Sequence, residues 1–291
     1  MALQKIMRVL VLGASGMLGK AVIKALLDRL DVEIYATQHK THESDISARV
    51  SYVTCDVLEP NALDNLFDRI RPGTVINCIA PRKEALRSGA VLSIVPLCAL
   101  LPHRVQVLCL EFNCRFIHIS TDGVFSGSRG LYTESDKPDP VDTYGYAKLL
   151  GEVSSLNSIS LRTSMIGHEP VGGGGLLDWF LNQRNSCRCY RRAIFSGMPV
   201  CTLAKTISDK VLFNNDLHGI YNLAAMPISK FDLLKMVADV YRLPINIIPD
   251  DSLVIDRSLS PEKFQNATGF VAPAWRDMIE MMYADYLENI V

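Results

Sequence analysis

The sequence predicts an α/β protein built on a doubly wound parallel sheet with a smaller C-terminal lobe, and three observations carry that prediction. An apolar run, Arg8-Val9-Leu10-Val11-Leu12, passes through a glycine turn into Ala21–Leu27, whose period is helical. Strand-like and helix-like stretches then alternate through the first half of the chain, the pattern of a parallel sheet with right-handed crossovers. Beyond Ser164 the alternation weakens and insertions interrupt it.

The first strand is rich in Val and Leu without strict alternation, which suits a central strand covered on both faces. Glycines at 13, 16 and 19 form the turn after it. Without Cβ atoms they allow unusual φ, close approach of a pyrophosphate and close helix–strand packing. The helix that follows offers unpaired N–H groups and partial positive charge to that phosphate. Gly13, Ser15, Gly16, Met17, Leu18 and Gly19 are therefore the expected cofactor-binding turn of a Rossmann-type fold. The spacing G-x-x-G-x-x-G, rather than G-x-G-x-x-G, resembles the short-chain dehydrogenase/reductase superfamily.

The second strand, Val32 to Thr37, runs into Gln38-His39-Lys40. No carboxylate stands there to repel a 2′-phosphate, while His39 and Lys40 favour one, so NADPH is expected, with NADH as the alternative. A third strand, Val50 to Val57, brings Asp56 and Val57 to the adenine side; Asp56 serves equally as a cap for the next helix, Asn61 to Arg71. The fourth strand, Thr74 to Ala80, turns the backbone of Ala80 and Pro81 toward the cofactor. Arg82 to Glu111 reads as helix kinked or divided by Pro96 and Pro102, and Arg115 to Ser120 is the fifth strand.

Chemistry is expected where that fifth strand ends. Ser120-Thr121-Asp122-Gly123-Val124 leaves it, and Tyr144-Gly145-Tyr146-Ala147-Lys148 opens a helix. The Tyr-x-x-x-Lys spacing puts both side chains on one helical face, one turn apart. An ammonium near a phenol stabilises the phenolate, and a phenol so tuned can protonate the alkoxide formed when hydride reaches a carbonyl carbon. Lys148 can also hydrogen-bond the nicotinamide ribose, and the Thr121 hydroxyl can hold the carbonyl oxygen or simply cap local backbone.

Composition excludes other classes. The 291 residues carry a net charge of -1 with no basic run, so nucleic acid finds no electrostatic footprint. No apolar stretch reaches membrane-spanning length without a charge or proline, and a cytoplasmic location is expected. The eight cysteines sit largely in apolar runs and Cys187-Arg188-Cys189 lacks zinc-site spacing, so no metal is expected.

At the motif level the chain resembles the dTDP-4-dehydrorhamnose reductase (RmlD-like) family of extended short-chain reductases. The matching residues are the opening glycines, Ile119 to Gly127, Tyr132-Thr133-Glu134, Pro138, Tyr144 to Glu152 and Leu161-Arg162-Thr163-Ser164. The resemblance implies reduction of a nucleotide-linked 4-keto-6-deoxy sugar by NADPH, with Thr121, Tyr144 and Lys148 catalytic and Asp122 and Val124 beside the substrate. Related 4,6-dehydratases carry Glu where this chain has Gly123, which favours reduction over dehydration. The family's usual Asn before the fifth strand is replaced by Cys98.

Residues 1–167 are expected to form the dinucleotide-binding domain, with 206–226 rejoining it through a last strand, Gly219 to Ala224. Residues 168–205 and 227–291 make the substrate lobe. There Arg191 and Arg192 are candidates for the nucleotide diphosphate, since guanidinium matches phosphate bidentately, and Arg257 is another. Ser260 is expected to cap a helix with Pro261 at its first position. A homodimer is the expected assembly. Two alternatives stay open: a non-catalytic dinucleotide-binding regulatory subunit of the same fold, and a nucleotide-sugar epimerase.

Overall fold

The computed structural model describes residues 6–39, 49–81, 83–170 and 174–288. Seven strands form its central parallel sheet: β1 (Met7–Leu12), β2 (Val32–Gln38), β3 (Val50–Thr54), β4 (Thr74–Asn77), β5 (Arg115–Ile119), β6 (Ser158–Arg162) and β11 (Gly219–Asn222). Their order is β11-β6-β5-β4-β1-β2-β3. The sheet reverses direction of growth at β1, as a doubly wound fold requires. Val9 to Leu12 and every residue of β4, β5 and β6 are buried, which is why those runs show no apolar–polar alternation.

Helices cover the sheet with regular apolar stripes. α1 (Met17–Leu27) buries Leu18, Val22, Ile23 and Leu26, and α2 (Ala62–Ile70) buries Leu63, Leu66, Phe67 and Ile70. The expected single helix from 82 to 111 is three: α3 (Lys83–Ser88), α4 (Val91–Val95) and α5 (Leu101–Glu111). Gly89, at φ 63, ends the first. Between α4 and α5 the backbone widens into a π turn over Pro96–Leu100, because Pro96 and Pro102 lack the N–H an α turn needs. Val91–Glu111, which carries Pro96, Pro102 and Arg104, is long and apolar enough by length and composition to cross a membrane. Its residues Ile94, Cys98, Leu101, Val105, Leu108 and Cys109 are buried in the protein core.

The remaining elements are α6 (Thr143–Leu150), β7 (Met165–Ile166), α7 (Leu176–Leu181), β8 (Ser186–Tyr190), β9 (Ala193–Phe195), β10 (Met198–Pro199), α8 (Val200–Thr206), β12 (Ile228–Ser229), α9 (Lys230–Val240), β13 (Asn246–Asp250), β14 (Ile255–Asp256), α10 (Glu262–Thr268) and α11 (Trp275–Glu288). β9 lies between β12 and β14, and β8 pairs with β13. Trp275 is a core residue whose Nε1 donates to the Met226 carbonyl at 2.7 Å, whereas Trp179 is part-exposed.

The chain divides into two compact units. The first comprises Met1–Ser120, Asp142–Leu161 and Ala204–Ile220; the second comprises Thr121–Val141, Arg162–Leu203 and Tyr221–Val291. This partition differs from the expected domains chiefly at 121–141, which the sequence placed in the first unit. The backbone explains the difference: Tyr132 N–H donates to Ser258 O at 2.9 Å, Ser260 N–H to Tyr132 O at 2.8 Å and Asp256 N–H to Gly127 O at 2.8 Å. Those bonds tie the segment to the C-terminal stretch.

Candidate active site

The glycine turn is pinned to β2 by two bonds, Gly13 N–H to Thr37 Oγ1 at 3.1 Å and Ala14 N–H to Thr37 O at 2.9 Å. A Cβ at Gly13 would lie 2.9 Å from Ile79 Cγ1, and one at Gly19 would lie 2.2 Å from the Gly13 carbonyl. Gly16 is the open position, with nothing nearer its Cβ direction than 3.4 Å, and it begins α1 without any side-chain cap. An exposed, uncapped helix start of this kind fits a dinucleotide pyrophosphate. Ser15 and Gly16 are exposed and Met17 half-buried, while the Leu18 side chain belongs to the core.

Beyond the end of β2, His39 Nδ1 lies 3.7 Å from Asp56 Oδ2. Asp56 does not cap α2. Asn61 holds that position in a left-handed conformation, and Asp56 Oδ1 instead accepts from Leu58 N–H at 3.0 Å. Val57 is buried in the apolar core. Lys40, the other expected phosphate contact, lies outside the described residues. Ala80 is exposed at the end of β4 and Pro81 is buried.

α6 starts at Asp142, whose Oδ1 accepts from Gly145 N–H at 2.7 Å. Tyr144 is half-buried against a cluster of Ile94, Cys98, Ala99 and Ala147. Lys148 is 4% exposed, and its amine is held by the Ile119 carbonyl and by His118 Nε2 at 3.3 Å. Burial pushes its pKa below the ordinary lysine value, an effect partly opposed by the Cys98, Glu152 and Cys78 groups facing it. His118 is wholly buried, its pKa driven well down by desolvation and then by the Lys148 charge. Its Nδ1 lies 3.2 Å from Asn77 Nδ2. Neither Asn77 nor His118 was singled out by the sequence, since each is a lone polar residue in a buried strand and nothing local marks it for a role. Cys98 sits in the π turn with its carbonyl against Gly151, where an added Cβ would collide with it.

In the second unit Thr121 Oγ1 accepts from Gly123 N–H at 3.1 Å and donates to Asp122 Oδ1 at 3.2 Å, capping a short 3₁₀ turn over Asp122–Val124. Desolvation raises the Asp122 carboxyl above its usual range, while the charges of Arg257 and Lys230 and hydrogen bonds from Thr121 and Ser164 pull the other way. Gly123 and Val124 are buried. The structure thus groups Asp122 with Arg257 and adds Lys230, which sequence reasoning missed at the start of α9. Arg257 Nε is buried without a hydrogen-bond partner. Arg192 does not join that group: it is exposed, its charge acting on Asp251, to which Arg191 also donates from Nε at 2.9 Å. Adjacent arginines in sequence carried no sign of that carboxylate partner. Ser260 accepts from Glu262 N–H at 3.4 Å, and α10 begins one residue later than expected.

Residues 7–167 match the family described as RmlD substrate binding domain. Methionine adenosyltransferase 2 subunit beta of Danio rerio is 27% identical over 81% of this chain and 75% of its own length. A dTDP-4-keto-6-deoxy-D-glucose reductase of Streptomyces niveus is 34% identical over 52% of this chain and 48% of that protein. Among solved structures, the dTDP-4-dehydrorhamnose reductase of Bacillus anthracis in complex with NADP superposes with a TM-score of 0.77 at 22% identity, covering 96% of this chain and 99% of that one. The WbmG enzyme of Bordetella bronchiseptica in complex with NAD and UDP gives 0.79 at 19% identity over 97% and 96%. With more than half of its residues under the matching family description, and with the α/β fold of the extended short-chain NAD(P)-dependent reductases, the chain belongs to the RmlD substrate binding domain family.

Proposed function

We propose that this chain is an NADPH-dependent reductase of a nucleotide-linked 4-keto-6-deoxy sugar. The observation that carries the reading is the pair Tyr144 and Lys148, one turn apart on α6, with the lysine amine drawn in against the end of β5. Bound NADPH would supply hydride to the ketone carbon. The Tyr144 phenol then gives its proton to the oxygen as negative charge develops there. A protonated Lys148 favours the phenolate that remains, and the family resemblance assigns the Thr121 hydroxyl a catalytic part as well. Arg257 and Lys230 supply positive charge for an anionic carrier, which the UDP-bound relative supports.

The test is NADPH oxidation, followed by absorbance, with dTDP- and UDP-linked 4-keto-6-deoxyhexoses. Tyr144→Phe should lower turnover by about a hundred- to ten-thousandfold while NADPH still binds. A wild-type protein that binds NADPH tightly and reduces no sugar in the panel would overturn the reading.

A second reading is favoured by the longer match to a methionine adenosyltransferase 2 subunit beta. On that reading the chain binds dinucleotide without turnover and associates with a methionine adenosyltransferase catalytic subunit. Co-elution with such a subunit, together with a silent sugar panel, would select it.

A further inference from the structure

We propose that Asn77 and His118 are positioning residues that hold Lys148 as a neutral amine in the cofactor-free protein, by aiming the single imidazole proton of His118 at its nitrogen. The inference rests on the proposed role of Lys148. It starts from a group with no choice of role, the backbone N–H of Ile79, which can only donate.

That N–H lies 3.1 Å from Asn77 Oδ1 and fixes the orientation of the amide, because the flipped amide would set N–H against N–H. Asn77 Nδ2 must then be the group facing His118 Nδ1 at 3.2 Å, and it too can only donate. Nδ1 is therefore the acceptor. A neutral imidazole carries one proton, so it sits on Nε2. Burial opposes a second proton on the ring.

Nε2 faces Lys148 Nζ at 3.3 Å. An Nε2–H can donate only to a nitrogen with a lone pair, which an amine has and an ammonium lacks. The amine completes its bonding by donating to the Ile119 carbonyl. The other titratable groups facing Lys148 are Cys78 beyond β4, Cys98 in the π turn and Glu152 beyond α6, with Tyr144 one turn earlier on its own helix. Only Glu152 brings a negative charge, and its Oε1 accepts from Ser120 Oγ at 2.8 Å. Charging Lys148 therefore requires the His118 contact to break or its proton to change nitrogen.

Nitrogen NMR on the full chain, labelled at histidine and lysine and free of cofactor, tests this directly. His118 should show a protonated Nε2 and a bare Nδ1 across the neutral range. In Asn77→Asp a carboxylate accepts from Ile79 N–H and from Nδ1–H alike, so the proton moves to Nδ1 and Nε2 becomes an acceptor. The Lys148 midpoint should then rise by about one unit or more, a tenfold change in proton affinity. The alkaline limb of the turnover profile should move up with it. A wild-type His118 protonated on Nδ1 overturns the proposal without any variant, and so does an unmoved Lys148 midpoint in a folded Asn77→Asp. If the nitrogens behave as stated and no sugar is reduced, the reductase reading fails and this proposal stands.

Discussion

Asp122 is a carboxyl whose surroundings work against its charge more than its cationic neighbours work for it. Its folded pKa lies above its unfolded one, so the folded state holds the proton more tightly. Stability from that proton is present below the ordinary aspartate value and is lost as pH rises through the folded value. Asp122→Asn should therefore match or exceed wild type in urea midpoint at neutral pH, with the gap closing in acid. Lys148 obeys the opposite sign. Its lowered pKa means the unfolded chain binds the extra proton, so wild type should gain stability relative to Lys148→Met as pH climbs toward 10.5. The Asp56 carboxylate stands 3.7 Å from His39, where on the proposed reading it opposes a 2′-phosphate. Asp56→Asn should raise the NADPH-to-NADH ratio of kcat/KM by about two- to fivefold, the range of an exposed pair worth up to about 1 kcal/mol.

At the scale of elements, α6 depends on one cap and one close approach. Asp142→Ala should cost about 1 kcal/mol, read as a lowered unfolding midpoint. Gly151→Ala should cost more, at least about 2 kcal/mol, because its Cβ would meet the Cys98 backbone rather than a side chain able to move aside. The glycine turn separates folding from binding. Gly19→Ala collides with the Gly13 carbonyl and should destabilise the protein, whereas Gly16→Ala should fold normally yet weaken dinucleotide binding, measured by fluorescence titration. The strands β1, β2, β4 and β5 and the Tyr-Lys helix were legible in the sequence because each is written in contiguous residues. The π turn was legible only as two prolines. Of the two roles open to Asp56 the cap falls away, because five residues intervene before α2 begins and Asn61 takes the left-handed turn instead.

For the whole molecule, the chain passes between its two units after residues 120, 141, 161, 203 and 220. Neither unit is a continuous piece, so unfolding one pulls on the ends of the other. Both tryptophans lie in the second unit, which makes their emission a report on that unit, while far-ultraviolet dichroism samples both. The two signals should unfold at the same urea concentration; separated midpoints would show independent units. Long-range groupings of this kind were the least legible part of the sequence. Asp122, Lys230 and Arg257 stand more than a hundred residues apart at the extremes, as do Tyr132 and Ser258, and no local pattern links them.

The same threading bears on how such a scaffold can be re-engineered. Replacing the second unit by that of another lineage would mean grafting three separate stretches at once, with five new junctions to seal. A lineage that changes its substrate by point replacement in place meets no such obstacle.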